Sequence, residues 1–230
     1  MTMVLVHGGG LGKECWDRLL PLLDGDVLAV DLPGRGDHPA DLAKVGIADF
    51  VDSVVDDIES RDLHDVVLVG HSLAGLTIPQ VAGRVPDRMR ALVFISCTVP
   101  GEGQSTYDTL DPEIQAISDE SPSDELTTLA PEIAEAVFYN DVDDPEVLEW
   151  GLSILVPEAP ASVTDAMVLS TMPRDLRRVW IRLNDDAIVA PVKQDRFIEN
   201  LGGCEVLELD SGHMAMVSRP RDLAALLNAI

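Results

Sequence analysis

Lysine is nearly missing from this chain. Only Lys13, Lys44 and Lys193 occur, and with the arginines they make 16 basic residues against 41 acidic ones, a net charge of −25. A protein so poor in positive charge repels nucleic-acid phosphates and anionic membrane surfaces, so neither is an expected partner. The acids are spread along the chain, as on a solvated surface. Long apolar runs are missing too. No stretch approaches the ~18 consecutive apolar residues of a membrane span. Cysteine is scarce: Cys15, Cys97 and Cys204 are scattered with no C-x-x-C spacing. Free thiols in a cytoplasmic protein are therefore expected. The start, Met1-Thr2-Met3-Val4, has no basic region and leads straight into an apolar run, so no secretion leader is expected.

What is present suits one α/β domain with room for an inserted cap: 230 residues, 46% of them hydrophobic. The chain is organised around Val66-Val67-Leu68-Val69, which runs into Gly70-His71-Ser72-Leu73-Ala74-Gly75. The apolar run reads as a strand buried on both faces, and the segment from Leu73 to Val85 has helical composition. A strand turning straight into a helix with a serine at the turn is the setting of a nucleophile elbow. There the hydroxyl projects alone above the sheet, and its neighbours must be small because strand and helix nearly touch. Gly70 is one such neighbour. Ala74 stands where a strict G-x-S-x-G has its second glycine, with Gly75 directly after it.

Strands and helices alternate along the first half. Met3–Val6 is a strand entering the glycine-rich loop His7-Gly8-Gly9-Gly10. Such a loop can aim backbone N–H groups at a developing negative charge. It is not a phosphate loop, because Lys13 is followed by Glu14 rather than Ser or Thr. Trp16–Leu23 is expected as a helix with Trp16, Leu19, Leu20 and Leu23 on one face. Val27–Val30 is a strand, Ile47–Ile58 an amphipathic helix and Ala91–Ile95 a buried strand. This alternation predicts a parallel sheet with helices on both faces. It breaks between 98 and 173, which holds eight of the fifteen prolines. That stretch is expected to be a helical cap, with helical patterns at Ile133–Tyr139 and Glu146–Leu155, inserted into a core formed by 1–97 and 174–230. The alternation resumes with strands at Val179–Leu183 and Val206–Leu209 and helices at Val192–Leu201 and Pro220–Ile230.

A serine hydroxyl needs a base. Of the five histidines, His7 belongs to the first loop, His38 and His64 lie in loops near acids, and His71 is turned away from Ser72 by strand alternation. His213, in Asp210-Ser211-Gly212-His213, comes after the last strand. In an open parallel sheet the active crevice lies at the carboxyl ends of the strands. Ser72, the Gly8-Gly9 loop and His213 converge there. The base needs an acid to fix its tautomer. Asp185 and Asp186 come after the penultimate strand and compete for that role. The order Ser, Asp, His is that of α/β-hydrolases.

The chain resembles the α/β-hydrolases, and within them the branch of plant methyl esterases and hydroxynitrile lyases with many bacterial small esterases. Four motifs carry this: Val4-Leu5-Val6-His7-Gly8-Gly9, Gly70-His71-Ser72-Leu73-Ala74-Gly75, Phe94-Ile95-Ser96-Cys97-Thr98-Val99-Pro100-Gly101 and Gly212-His213-Met214-Ala215-Met216-Val217-Ser218-Arg219-Pro220. The resemblance implies an α/β-hydrolase fold of about six mainly parallel strands, Ser72 as nucleophile, His213 as base, and oxyanion N–H groups from Gly9 and Leu73. The family's D-x-x-V-P-x-x-x-Q spacing fits Asp186, Val189 and Gln194, with Ala190 in place of the proline, and so favours Asp186 over Asp185. The related lyases carry a threonine after the first-loop histidine and a lysine after the catalytic one. Gly8 and Met214 stand there, which disfavours lyase chemistry.

The expected activity is hydrolysis of a small carboxylic ester through an acyl-enzyme, with no metal or organic cofactor. Gly8, Leu11, His71, Met214 and Met216, with Leu73, are the expected substrate contacts. Lactone or amide cleavage, cofactor-free biosynthetic chemistry and a non-catalytic small-molecule receptor are the alternatives. A homodimer is an allowed assembly. Heavy use of Arg, Ala, Val and Asp suggests a GC-rich bacterial genome.

Overall fold

The computed structural model describes residues 1–36, 38–112, 115 and 128–230. Its strands are β1 (Thr2–Val6), β2 (Asp26–Val30), β3 (Val66–His71), β4 (Met89–Ile95), β5 (Arg177–Leu183) and β6 (Glu205–Leu209). They form one sheet in the order β2-β1-β3-β4-β5-β6, every pair parallel. The helices are α1 (Ile47–Ser60), α2 (Ile78–Arg84), α3 (Pro131–Val137), α4 (Pro145–Ser153), α5 (Ala161–Thr164), α6 (Pro191–Asn200), α7 (Ala215–Ser218) and α8 (Pro220–Asn228).

The inner strands β1, β3 and β4 read as apolar runs because both sheet faces are covered there. Side chains alternate between two cores. Val4, Val6, Leu68, Leu92, Phe94 and Trp180 pack under α1, α2 and α6. Met3, Leu5, Val67, Val69, Val93, Ile95, Val179 and Ile181 pack under the 13–22 segment, α7 and α8. α1 buries Ile47, Phe50, Val51, Val54, Val55 and Ile58 along one stripe. Its start is tied down from outside: the Ile47 N–H donates to Asp165 Oδ2 at 2.9 Å.

Two expected helices take another form. Trp16–Leu23 is not one helix but two 3₁₀ turns, Lys13–Trp16 and Leu20–Leu22. Pro21 has no N–H to donate and its ring blocks the preceding turn, so an α-helix cannot run through it. Trp16 and Leu19 still reach the core. The segment after Ser72 starts as a 3₁₀ turn, Ser72–Leu76, and becomes α-helical only at α2.

Helices α3, α4 and α5 fall between β4 and β5, within 98–173. Of that stretch, 113–114 and 116–127 lie outside the described residues. The Tyr139 hydroxyl donates to the Gly151 carbonyl at 2.7 Å and joins the end of α3 to α4. Among the described residues no helix is long and apolar enough to cross a membrane.

Candidate active site

β3 delivers Ser72 at its carboxyl end in a left-handed backbone state, φ +53°. A non-glycine residue held there stores on the order of 1–3 kcal/mol of strain. The neighbours show why small residues surround it. A Cβ on Gly70 would stand 3.1 Å from the Ala74 Cβ, and one on Gly75 would stand 2.4 Å from the Thr98 carbonyl. Gly75 is thus the obligatory glycine after Ser72. Ala74 is tolerated because Gly70 leaves its methyl room. Gly8 is a close approach too: its Cβ would fall 2.9 Å from the Ser72 Cβ.

His213 lies beyond β6 and beside the serine. Ser72 Oγ is 3.0 Å from His213 Nε2, and His213 Nδ1 is 2.7 Å from Asp186 Oδ2. An ionised carboxylate only accepts, so Nδ1–H donates to Asp186 and Nε2 accepts from the serine hydroxyl. Asp186 Oδ1 accepts the amides of Ile188 and Val189 at 2.7 and 2.8 Å. Burial by itself would raise the Asp186 carboxyl. The adjacent His213 imidazole, its hydrogen bond, and those from Ser96 and Val189 outweigh burial and hold the group below its ordinary value. Gln194 fixes the loop that carries Asp186. It is fully buried, donates to the Leu183 and Val189 carbonyls at 2.8 Å, and accepts from Trp180 Nε1 and the Leu183 amide at 3.2 Å. Asp185 is exposed.

One member of this constellation stands in a motif that carries the resemblance but that gives it no chemical task. Ser96, at the end of β4, donates its hydroxyl to Asp186 Oδ2 at 2.6 Å and has φ +39°. Its signal was position: it ends a strand at the sheet edge where the other site residues gather.

Two further histidines are structural. His7 Nδ1–H donates to the Gly8 carbonyl at 2.8 Å, and Nε2 accepts from the Leu32 amide at 3.2 Å. Burial lowers its pKa to about 4. His71 is also kept neutral, by burial and then by the neighbouring His213. Its Nε2–H donates to the His213 carbonyl at 2.9 Å, which fixes the backbone of that residue.

The serine opens onto a cavity of about 310 Å³. Leu73, Leu110, Leu129, Phe138, Leu155, Val156, Ile188, Val189 and Phe197 give it apolar walls, with Thr98, Thr106, Thr109, Glu158 and Lys193 as polar ones. Gly9, Gly10 and Leu73 border it next to Ser72. Among the described residues the Gly9 N–H has no backbone or side-chain acceptor. The Leu73 N–H lies in a first helical turn, where no intrahelical partner exists. Both residues border the same space as the serine. Phe138 covers His213, its ring centre 5.3 Å from the imidazole.

Of the expected substrate contacts, Leu73 lines the cavity. Leu11, Met214 and Met216 do not: each is at most 1% exposed and packs in the core on the α7–α8 face of the sheet. The left-handed turn at Gly10 precedes the buried Leu11, and the short helix after His213 buries both methionines. Gly8 and His71 are buried behind the serine and support it instead of lining the space. Among the described residues no three His, Cys, Asp or Glu side chains gather as a metal ion would require.

Known proteins share this arrangement of chain. The probable esterase PIR7A of Oryza sativa subsp. japonica is 29% identical over 97% of this chain and 94% of its own. Methyl jasmonate esterase 1 of Vitis vinifera is 28% identical over 99% and 95%. The crystal structure of polyneuridine aldehyde esterase superposes with a TM-score of 0.78 at 26% identity, covering 98% of this chain and 97% of that one. An extracellular α/β-hydrolase from a Paenibacillus species shares the fold, with a TM-score of 0.86 at 24% identity over 99% and 97%. The model of the alpha/beta hydrolase family matches residues 3–226, from β1 into α8, and the chain belongs to that family.

Proposed function

We propose that this protein hydrolyses small carboxylic esters with an apolar acyl group through a serine acyl-enzyme. The observation that carries the reading is the Ser72–His213–Asp186 chain, with contacts of 3.0 and 2.7 Å, opening onto an apolar cavity bordered by Gly9 and Leu73. Ser72 Oγ attacks the ester carbonyl while His213 Nε2 takes its proton. The Gly9 and Leu73 amides hold the oxyanion. The tetrahedral intermediate collapses, and the leaving alcohol takes the proton from His213. Water then attacks the acyl-enzyme and gives a proton to His213. Release of the acid returns that proton to Ser72. Asp186 stays ionised and stabilises the imidazolium.

The described part of 98–173 acts as a cap on the core formed by 1–97 and 174–230, since Leu110, Phe138, Leu155 and Val156 bound the cavity from that stretch. The relatives named as esterases support ester hydrolysis. Lyase chemistry has little support: Met214 is buried and uncharged, so no ammonium follows His213 to steady a leaving cyanide. The three free cysteines fit a reducing, cytoplasmic setting.

The test is intact-mass analysis after exposure to a fluorophosphonate, with Ser72→Ala beside the wild type. One adduct on the wild type and none on Ser72→Ala is the expected result, together with turnover of apolar methyl and aryl esters. A folded wild type that takes up no probe and turns over no ester would defeat the reading.

A further inference from the structure

The cavity beside Ser72 is mostly apolar, yet a charge pair reaches its wall from outside the sheet. Glu158 lies between α4 and α5 and borders the cavity next to Gly9 and Gly10. Its Oε2 accepts the Gly10 amide at 2.7 Å and Arg35 Nη2 at 2.8 Å. Its Oε1 accepts the Ala159 amide at 2.7 Å. Two residues earlier, the Val156 amide donates to the Gly10 carbonyl at 2.9 Å. Both backbone groups of Gly10 are therefore held by one short segment. Arg35, with its side chain 1% exposed, also donates from Nε to the Leu11 carbonyl at 3.0 Å.

We propose that Arg35 and Glu158 form a clamp that positions the Gly9 oxyanion donor, a role that rests on the serine-hydrolase reading above. A run of three glycines is the least ordered backbone a chain can make. An oxyanion donor works only when its direction is fixed before the charge develops. Nothing in residues 8–10 themselves supplies that order; Glu158 and Val156 supply it at Gly10, the next residue after the donor. A carboxylate is a strong acceptor for this purpose. It also carries a cost. Glu158 Oε2 lies 3.1 Å from where a Gly9 side chain would begin, so an unpaired charge there would oppose the oxyanion. Arg35 cancels it. The two residues thus have separable tasks: Glu158 anchors the loop, and Arg35 neutralises the anchor.

The separation sets the test, which tracks the rate of Ser72 phosphonylation by a fluorophosphonate in full-length protein, with melting curves run alongside. Arg35→Met leaves the carboxylate unpaired and should label on the order of 10- to 100-fold more slowly. Adding Glu158→Gln removes the charge but keeps an amide oxygen for Gly10, and should restore the rate to within about threefold of wild type. With an ester substrate the Arg35→Met loss should fall on kcat, with KM changed little. An unslowed Arg35→Met, or a folded double variant as slow as the single one, overturns the clamp. If Arg35→Met does not fold, Glu158→Gln against Glu158→Ala decides. Gln near wild type and Ala on the order of tenfold slower supports the clamp, and equal rates overturn it. A wild type that takes up no probe defeats the nucleophile reading and the clamp with it, whereas a labelled wild type beside an unslowed Arg35→Met defeats the clamp alone.

Discussion

Ser72 comes directly after β3 and Ser96 directly after β4, each one step beyond the paired residues His71 and Ile95. Both serines have positive φ, +53° and +39°. Their hydroxyls sit at opposite ends of one hydrogen-bonded chain: Ser72 meets His213 Nε2 at 3.0 Å, and Ser96 donates to Asp186 Oδ2 at 2.6 Å. The two differ in the chain beyond the strand end. Behind Ser72 a helical turn begins at once, and the residue borders an open cavity. Behind Ser96 no helix starts, and the residue is fully buried. The same backbone state can therefore set a hydroxyl beside an open cavity or tie it to a buried carboxylate. The next element in the chain decides which.

The comparison makes the two ends of the chain unequal, and removing the middle should show this most strongly. Asp186→Asn keeps the shape but takes away the acceptor that fixes the His213 tautomer. A loss of about 10,000-fold in kcat is expected. Asp185→Asn, on the exposed neighbour, should leave kcat within about twofold, as surface changes away from a site usually do. Steady-state rates on one ester measure both. Comparable losses from the two would mean that the acid is not Asp186.

The contrast between the serines also explains what could be read from the chain. All six strands were legible, the inner ones because a sheet covered on both faces demands near-continuous apolar runs and the edge strand β6 from the short run around Val206 to Leu209. Ser72 was legible because strand, glycine, serine and helix come in immediate succession. His213 and the pair Asp185-Asp186 were legible from their places at the carboxyl ends of late strands, and the spacing to Gln194 that the resembling family keeps favoured Asp186. Ser96 stands in one of the motifs that carry the resemblance, but nothing local says what its hydroxyl does. Its task exists only through Asp186, 90 positions away. Glu158 is hidden for the same reason, 148 positions from the Gly10 amide it holds. The cavity walls misled because Leu11, Met214 and Met216 are near the site in sequence, while sheet and helix packing turns them into the core. Composition gave Pro21 too little weight against the apolar stripe from Trp16 to Leu23.

A smaller effect tests the bracing role of Ser96. Its hydroxyl is one of the groups that hold Asp186 below the ordinary carboxylate value. A carboxylate lowered in the folded state adds stability above its unfolded pKa and loses it as pH falls through the folded one. Ser96→Ala should raise the folded value of Asp186 and so remove part of that stability. A deficit of about 1.5–3 kcal/mol near pH 6 is expected, the range for a hydrogen bond to a charged group. The deficit should narrow on acidification below the unfolded value of 3.8, where wild type loses the same contribution. Urea unfolding from pH 6 to 3 measures it. The acid limb of the rate profile should move to higher pH in step. A deficit that is constant with pH would mean that Ser96 acts by packing alone.

The smallest effect separates the hydroxyl from the backbone. Ser96→Gly and Ser96→Ala both lose the hydrogen bond to Asp186, so their difference reports only the cost of holding a side chain at φ +39°. Glycine tolerates positive φ without a clash, whereas alanine meets the left-handed penalty of roughly 1–2 kcal/mol. The looser unfolded chain of a glycine variant offsets about 0.4–1 kcal/mol of that gain. Ser96→Gly should therefore be more stable than Ser96→Ala by roughly 0.5–1 kcal/mol in urea unfolding. The same pair at Ser72, with φ +53°, should differ in the same direction. Agreement at both positions would mean that the two strand ends share one strained backbone device with different neighbours. A gain at Ser72 alone would mean that strain is kept where the nucleophile is presented, and that Ser96 reaches its place at no backbone cost.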